Sequence, residues 1–406
     1  MELPCILFRR AANRTRDTET LRLLQEISAH GELPVSPLAR TLGVKRSVVL
    51  SEARVLISKG LVSLRDGGKK IGLNPEYGYV VGIDLGGSHL HFALADFRGK
   101  ILSDSTEKVR PEDGPRKMIG QIKEGIRRLA VAAGFGLSGR KKKRGTPRLR
   151  ALAMGVPSPV DPKRGLVAFA NNLPGWKNIH LGLELEKEFR VPVFLENDAN
   201  MAAIGEHWRG VAREADNFIF IALGTGIGSG IFVDGKLYRG RSGWAGELFR
   251  MNVEWPRWEE DFGEVGYFES HVSGMGIAAE GRKALGPHSA QGSGGLAKER
   301  DALFVFEAFR QGSPDAQKVL EKIFTMLGVG VADIVAVLDP ELIVLGGGVT
   351  KGAPELLIAT VEMVLRRIHQ DPPPVRLSAL EDKAQTYGAI YSALTAAQEA
   401  VARRLA

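Results

Sequence analysis

The sequence predicts an α/β protein in which a small winged helix-turn-helix head precedes a body built from two similar halves. Three observations carry this. Residues 1–75 hold three stretches of helical apolar spacing and then a strand, a tight turn and a strand. Beyond residue 75, apolar β-rich runs alternate with helical stretches. Two of those runs end in the same kind of glycine-rich turn, Asp84-Leu85-Gly86-Gly87-Ser88 and Gly224-Thr225-Gly226-Ile227-Gly228.

At 406 residues the chain is long enough for two or three domains with sizeable cores. Hydrophobic residues at 44% and charged residues at 25% suit a soluble globular protein. No apolar run reaches bilayer-spanning length, and Met1 to Arg16 lacks a secretory pattern, so a cytoplasmic chain with no membrane partner is expected. Cys5 is the single cysteine, which excludes an intramolecular disulfide and any cysteine-built metal site. The net charge of +8 is uneven. Residues 1–75 carry 13 Lys/Arg against 7 Asp/Glu, a net +6, and Arg140-Lys141-Lys142-Lys143-Arg144 with Arg148 and Arg150 adds +7. A basic head is what phosphate neutralisation needs, whereas the lysine run reads as an exposed surface loop over Gly134–Arg150.

Thr18 to His30 is a helix with Leu21, Leu24 and Ile27 on one side. Ser36 suits a cap for a second helix, Pro37 its first position, and Gly43 its end after Leu42. A third helix runs from Arg46 to Lys59, with Val49, Ala53, Leu56 and Ile57 at core spacing and Gly60 as its stop. Leu61–Leu64, the turn Asp66-Gly67-Gly68 and Lys69–Leu73 complete the wing. In such a head the third helix enters the major groove by its N-terminal part. Lys45, Arg46, Ser47 and Ser51 are then the expected DNA contacts, with Lys69 and Lys70 reaching phosphates from the hairpin. Val48 and Leu50 offer only apolar contact to thymine methyls. A three-helix protein-interaction module is the alternative reading.

In the body, Tyr79–Ile83 is a strand and Asp84, Gly86, Gly87 and Ser88 follow as a turn. Glycines there let backbone amides approach phosphate oxygens, and Asp84 suits a water-bridged magnesium ion. The pair alone reads equally well as a structural turn; Gly224, Thr225 and Gly226, after the strand Phe218–Leu223, give it weight. Together they suggest a duplicated half-domain that holds phosphates. A third turn, Gly346-Gly347-Gly348, follows Leu342–Leu345 and suits the nucleoside end. Val191–Leu195 is a buried strand, and Glu196-Asn197-Asp198 stands at its C-terminal end, where open α/β sheets meet ligands. Phosphoryl transfer to a sugar requires a carboxylate to accept the hydroxyl proton, and Asp198 is the choice. The competing reading makes Asp198 a helix cap before Ala199–Trp208. Asn172 and Asn197 both donate and accept, as sugar hydroxyls demand.

These motifs resemble the ROK family of bacterial sugar-responsive repressors and sugar kinases. The resemblance spans Arg14 to the C-terminus. It rests on Leu42-Gly43-Val44, Gly60-Leu61-Val62, Gly82–Ser88, Gly155–Asp161, Asn172–Trp176, Glu196–Asn200, Gly246-Glu247-Leu248 and Pro340–Gly348. It implies an actin-like (ribonuclease H-like), two-lobed sugar-kinase fold behind the winged head. Three domains are expected: 1–75, then 76–198 with the C-terminal helix 384–406, then 199–383. It further implies Asp198 as the base of kinase members, and Asn172, Asn197, Glu247 and Glu269 as sugar contacts.

The departures are as informative. Arg250 stands where the family usually has a histidine that binds zinc and sugar, and Glu260, Phe262 and Tyr267 replace its three thiols. No structural zinc is expected, with Phe262, Tyr267 and Phe268, helped by Trp255 and Trp258, packing in its place. Arg250 makes a sugar phosphate or sugar acid a candidate ligand, unless it points outward and pairs with Glu247 or Glu260. The favoured reading is a repressor whose sugar ligand closes the two lobes and respaces the heads of a dimer or tetramer on operator DNA. The alternative is a glucokinase-like enzyme using ATP and magnesium.

Overall fold

The computed structural model describes residues 15–134, 148–170, 173–286 and 302–405. The head comprises α1 (Thr15–His30), β1 (Leu33–Pro34), α2 (Val35–Leu42), α3 (Arg46–Ser58), β2 (Val62–Arg65) and β3 (Lys70–Leu73). Leu24, Ile27, Leu38, Val49, Ala53, Leu56 and Ile71 form its buried core. Gly43 ends α2 at φ 70°, as its lack of a β-carbon permits. Buried Glu52 of α3 accepts a 2.6 Å bond from the Thr20 hydroxyl of α1, so the two helices are pinned by a satisfied polar pair.

The head departs from the sequence expectation in three details. The second helix begins at Val35 with Pro34 at its cap and no side-chain cap bond, so Ser36 does not cap it and Pro37 is its third residue. Ile57 is 37% exposed, because the core stripe of α3 passes through Val49, Ala53 and Leu56 instead. The wing is a three-stranded sheet in the order β1-β3-β2, since Leu33 and Pro34 pair with Ile71 and Lys70. A two-residue strand carries too little pattern to be seen in sequence.

The first half of the body holds β4 (Tyr79–Leu85), β5 (His89–Asp96), β6 (Ile101–Lys108), α4 (Gly114–Ala132), β7 (Leu149–Val156), β8 (Val160–Asp161), β9 (Leu166–Phe169), β10 (Lys177–Ile179), α5 (Leu181–Phe189) and β11 (Val193–Asn197). Then come α6 (Asp198–Arg209), β12 (Phe218–Leu223), β13 (Ile227–Val233), β14 (Lys236–Tyr238), α7 (Tyr267–Val272) and α8 (Gly274–Leu285). Helices Leu303–Arg310 and Pro314–Leu338, β15 (Leu342–Gly346), helix Pro354–Ile368, β16 (Val375–Leu377) and helix Ala384–Leu405 complete the chain. The lysine run lies outside the described residues.

Each half has one five-stranded sheet, ordered β6-β5-β4-β7-β11 and β14-β13-β12-β15-β16. In each, a three-stranded antiparallel meander is followed by two strands parallel to its first. The halves are therefore topological repeats, as the twin glycine turns suggest. Both cores use the same device. Gly125 in α4 lets Phe92 approach, and Gly330 in Pro314–Leu338 does so for Phe268; a β-carbon at either would lie 2.3 or 2.4 Å from the ring.

Two compact units result: residues up to Asp198 together with Thr386 onward, and Ala199–Gln385. In the first unit the C-terminal helix packs on β4 so closely that a β-carbon at Gly82 would lie 3.0 Å from the Ile390 backbone. The same unit seats the head. Arg150 lies 3.6 Å over the Tyr77 ring and its Nε donates to the Tyr77 carbonyl at 2.8 Å. Tyr77 also meets buried Phe97 at 4.7 Å, and Asn74 ties this linker back to the Gly60 carbonyl at 2.9 Å. Glu32 bridges Arg98 of the β5–β6 turn, at 3.2 Å, and Arg65 of the wing, at 3.7 Å. No helix among the described residues is long and apolar enough to cross a membrane.

A pH response is expected from the C-terminal helix. Burial raises the Glu399 carboxyl to about 7, and Arg403 at 3.4 Å offsets only part of that. Unfolded, the group ionises near its ordinary 4.5. Its contribution to stability is therefore full below that value and is lost as pH rises through about 7. Glu399→Gln should narrow the gap in melting temperature between mildly acidic and mildly alkaline buffer, raising the alkaline value by about 2–6 °C. Thermal unfolding followed by circular dichroism at both pH values checks this.

Candidate functional site

In the first unit the site is built on the C-terminal edge of three parallel strands. Asp84 of β4 and Glu196 of β11 both register with Gly155 of β7, so they form one row, and both are buried at 7% and 3% exposure. Ligands of open α/β sheets bind outside this edge. Glu196 accepts the Asn197 amide N–H at 3.0 Å, and the Asn197 side chain donates to the Ser158 carbonyl at 3.5 Å. Asp198 is the first residue of α6, within its first turn, rather than a cap preceding it. The Asp84 loop is a tight β4–β5 hairpin closed by Gly86 N–H donating to His89 O at 2.9 Å, and it leaves Gly87 and Ser88 exposed. Asn172 lies outside the described residues.

The second unit carries a glycine loop of its own. Gly224 N–H donates to Gly226 O at 3.0 Å, and Thr225 is exposed between them. The N-terminus of α8, capped by buried Ser273, abuts this turn: Gly274 N–H donates to Gly224 O at 2.8 Å. A helix N-terminus adds positive potential where an anion would sit. Gly347, at φ 92°, packs against the Leu223 carbonyl, which places Gly346 and Gly347 beside the same loop.

The acids gather there too. Glu269 of α7 accepts the Ile227 N–H at 2.8 Å. Glu247 is half-buried, and burial first, then Glu269, hold its carboxyl above the usual carboxylate range, against the opposing pull of Arg250. Ser229 donates to the Gly246 carbonyl at 2.7 Å and fixes the turn that presents Glu247. Arg250 is exposed, and among the described residues it forms no ion pair with Glu247 or Glu260; Glu260 is taken by Arg257 at 2.6 Å. Carboxyls and guanidinium groups are the types that meet the hydroxyls and any anionic group of a polyol.

The segment that replaces the thiols is packed by aromatic and charged groups. Tyr267 stacks on His271 at 4.2 Å and meets Phe262 edge-on at 5.0 Å. The Arg257 guanidinium, 5.2 Å from the Phe262 ring, pairs with Glu254 and Glu260. Burial pushes the Tyr267 hydroxyl up to about 12. Phe268 is fully buried in the core of this unit. The expected help from Trp255 and Trp258 is not found: they are 81% and 71% exposed.

On the head, Lys45, Arg46, Ser47 and Ser51 are all exposed. Ser47 and Ser51 continue into a stripe with exposed Arg54 and Ser58, one face of α3 at three- and four-residue spacing. Arg54 was missed by reading only the helix start; the spacing from Ser47 and Ser51 signals it. Lys69 is exposed, while Lys70 pairs with Asp66 across the turn at 2.9 Å.

Comparison with known proteins adds to this geometry. The ROK family model matches residues 80–396. The chain is 33% identical over 275 residues to a glucokinase of Thermotoga maritima, covering 67% of this chain and 82% of the relative. It is 26% identical over 339 residues to a xylose repressor of Caldicellulosiruptor bescii, covering 80% and 82%. Among solved structures, a ROK family transcriptional regulator homologous to the E. coli MLC protein superposes with a TM-score of 0.78 at 22% identity, over 95% of this chain and 98% of that one, which is a likeness of fold.

Proposed function

The chain belongs to the ROK family, and from that premise we propose that it is a carbohydrate-responsive DNA-binding transcriptional regulator. The observation that carries the proposal is the pairing of a complete winged head with a body that gathers Glu247, Glu269 and Arg250 in one place. The exposed cations of α3 and the wing suit operator phosphates, and the similarity to xylose repressors supports the same reading. The ligand is a monosaccharide or its phosphate, with Asn172, Asn197, Glu247 and Glu269 for hydroxyls and Arg250 for an anionic substituent. Two heads in a dimer or tetramer read two half-sites.

Arg150, Tyr77, Glu32 and Arg98 hold the head to the first half of the body, so a displacement of that half reaches the head as a rigid movement rather than being lost in a tether. The ligand acts by favouring one arrangement of the oligomer over the other. Retention of the chain's own upstream DNA, tested by fluorescence anisotropy, examines the regulator reading.

The placement of Glu196 and Asn197 at the end of β11 and of Asp198 at the start of α6, together with the glycine turn of the second loop, favours a sugar kinase as the second reading. In it, Asp198 accepts the hydroxyl proton while Asp84, Gly86, Gly87, Ser88, Gly224, Thr225, Gly226, Gly346 and Gly347 hold nucleotide and magnesium. A coupled assay of ADP release over hexoses and amino sugars tests it. A kinase shows turnover that Asp198→Asn removes by at least about a hundredfold; a regulator shows none.

A further inference from the structure

The two glycine loops differ in what covers them. At the second loop, the nearest acid, Glu269, is held by the Ile227 amide, and the N-terminus of α8 faces the turn. At the first loop, the chain supplies a side chain of its own. The His89 ring lies directly on Gly86: a β-carbon built there would be 2.3 Å from Cε1, 2.7 Å from Nδ1 and 2.8 Å from Nε2. The same ring places Nε2 at 3.7 Å from Asp84 Oδ2. The imidazole is 45% exposed and the carboxylate side chain only 9%.

Hydrated magnesium needs room. It keeps several waters in octahedral array and meets a carboxylate through them. Beside Asp84 that room is taken by an imidazole that can carry positive charge and donate to the acid. The first loop therefore does not fit a magnesium–nucleotide as it stands, although its backbone has the required turn.

We infer that His89 closes the first glycine loop to nucleotide by occupying the space beside Asp84 that a hydrated magnesium ion would need. The inference concerns the body alone and is independent of whether the head binds DNA. Its consequence is that the protein binds carbohydrate without a nucleotide requirement.

Isothermal titration of the full chain with the magnesium complex of a non-hydrolysable ATP analogue tests this, using wild type, His89→Ala and His89→Gln. Wild type should bind at least tenfold more weakly than His89→Ala, and the gain should vanish when magnesium is chelated. His89→Gln, which keeps a polar group but removes the ring, should also gain affinity and serves if the alanine variant fails to fold. Wild-type affinity equal to that of the folded variants, or variants that bind more weakly, would overturn the inference.

Discussion

Lys45→Ala together with Arg46→Ala should weaken binding to the chain's upstream DNA by on the order of a hundredfold near 0.1 M salt, and should lower the slope of log affinity against log salt by about two. Both side chains are exposed at the N-terminus of α3. Positive charge at a helix N-terminus opposes the helix dipole. Two adjacent cations there are kept against local electrostatics, as a phosphate-facing role would require. The double variant should accordingly melt no lower than wild type while losing DNA. Fluorescence anisotropy at several salt concentrations, beside a thermal melt, checks both halves. An unchanged salt slope would remove α3 from the interface.

Gly226→Ala should cost at least about tenfold in carbohydrate affinity. A β-carbon at Gly226 would lie 2.4 Å from Glu269 Oε2. The carboxylate must move, and the Ile227 N–H then loses its acceptor, at about 1–3 kcal/mol if it stays buried. Glu269 is thereby displaced from the group it forms with Glu247 and Arg250. Gly87→Ala is the matched control, because nothing lies within 4 Å of its β-carbon and the change should be near neutral. Calorimetry with a bound monosaccharide on both variants separates a specific loss at Gly226 from a general effect of stiffening a loop. Equal affinities in the two variants would detach Glu269 from ligand binding.

Much of this was legible in sequence because it is local. Gly86-Gly87 and Gly224–Gly226 marked two hairpins, and Gly43 and Gly60 marked helix ends, because φ and steric demands act over a few residues. The exposure of Lys45, Arg46, Ser47 and Ser51 follows from the stripe that Val49, Ala53 and Leu56 bury. What escaped depends on contacts distant in sequence or on side-chain direction. The row formed by Asp84 and Glu196 exists only through the register of β4, β7 and β11. His89 gives no composition signal, since its meaning lies in folding back on Gly86. Trp255 and Trp258 suggested core by residue type, yet both are exposed, in a turn crowded with the charges of Glu254, Arg257 and Glu260. Nothing short of the pairing of Arg150 with Tyr77 reveals that the linker is fixed, as Arg150 borders a basic run that reads as surface.

Carbohydrate bound by the body is expected to change what the head does. The affinity of the full chain for its upstream DNA, measured with and without saturating monosaccharides and their phosphorylated or acidic derivatives in wild type and Glu247→Ala, tests this coupling. At least one sugar should change wild-type affinity by about tenfold or more, a coupling of about 1.4 kcal/mol, and leave Glu247→Ala unaffected. DNA affinity that stays constant while calorimetry shows the same sugar bound would contradict it.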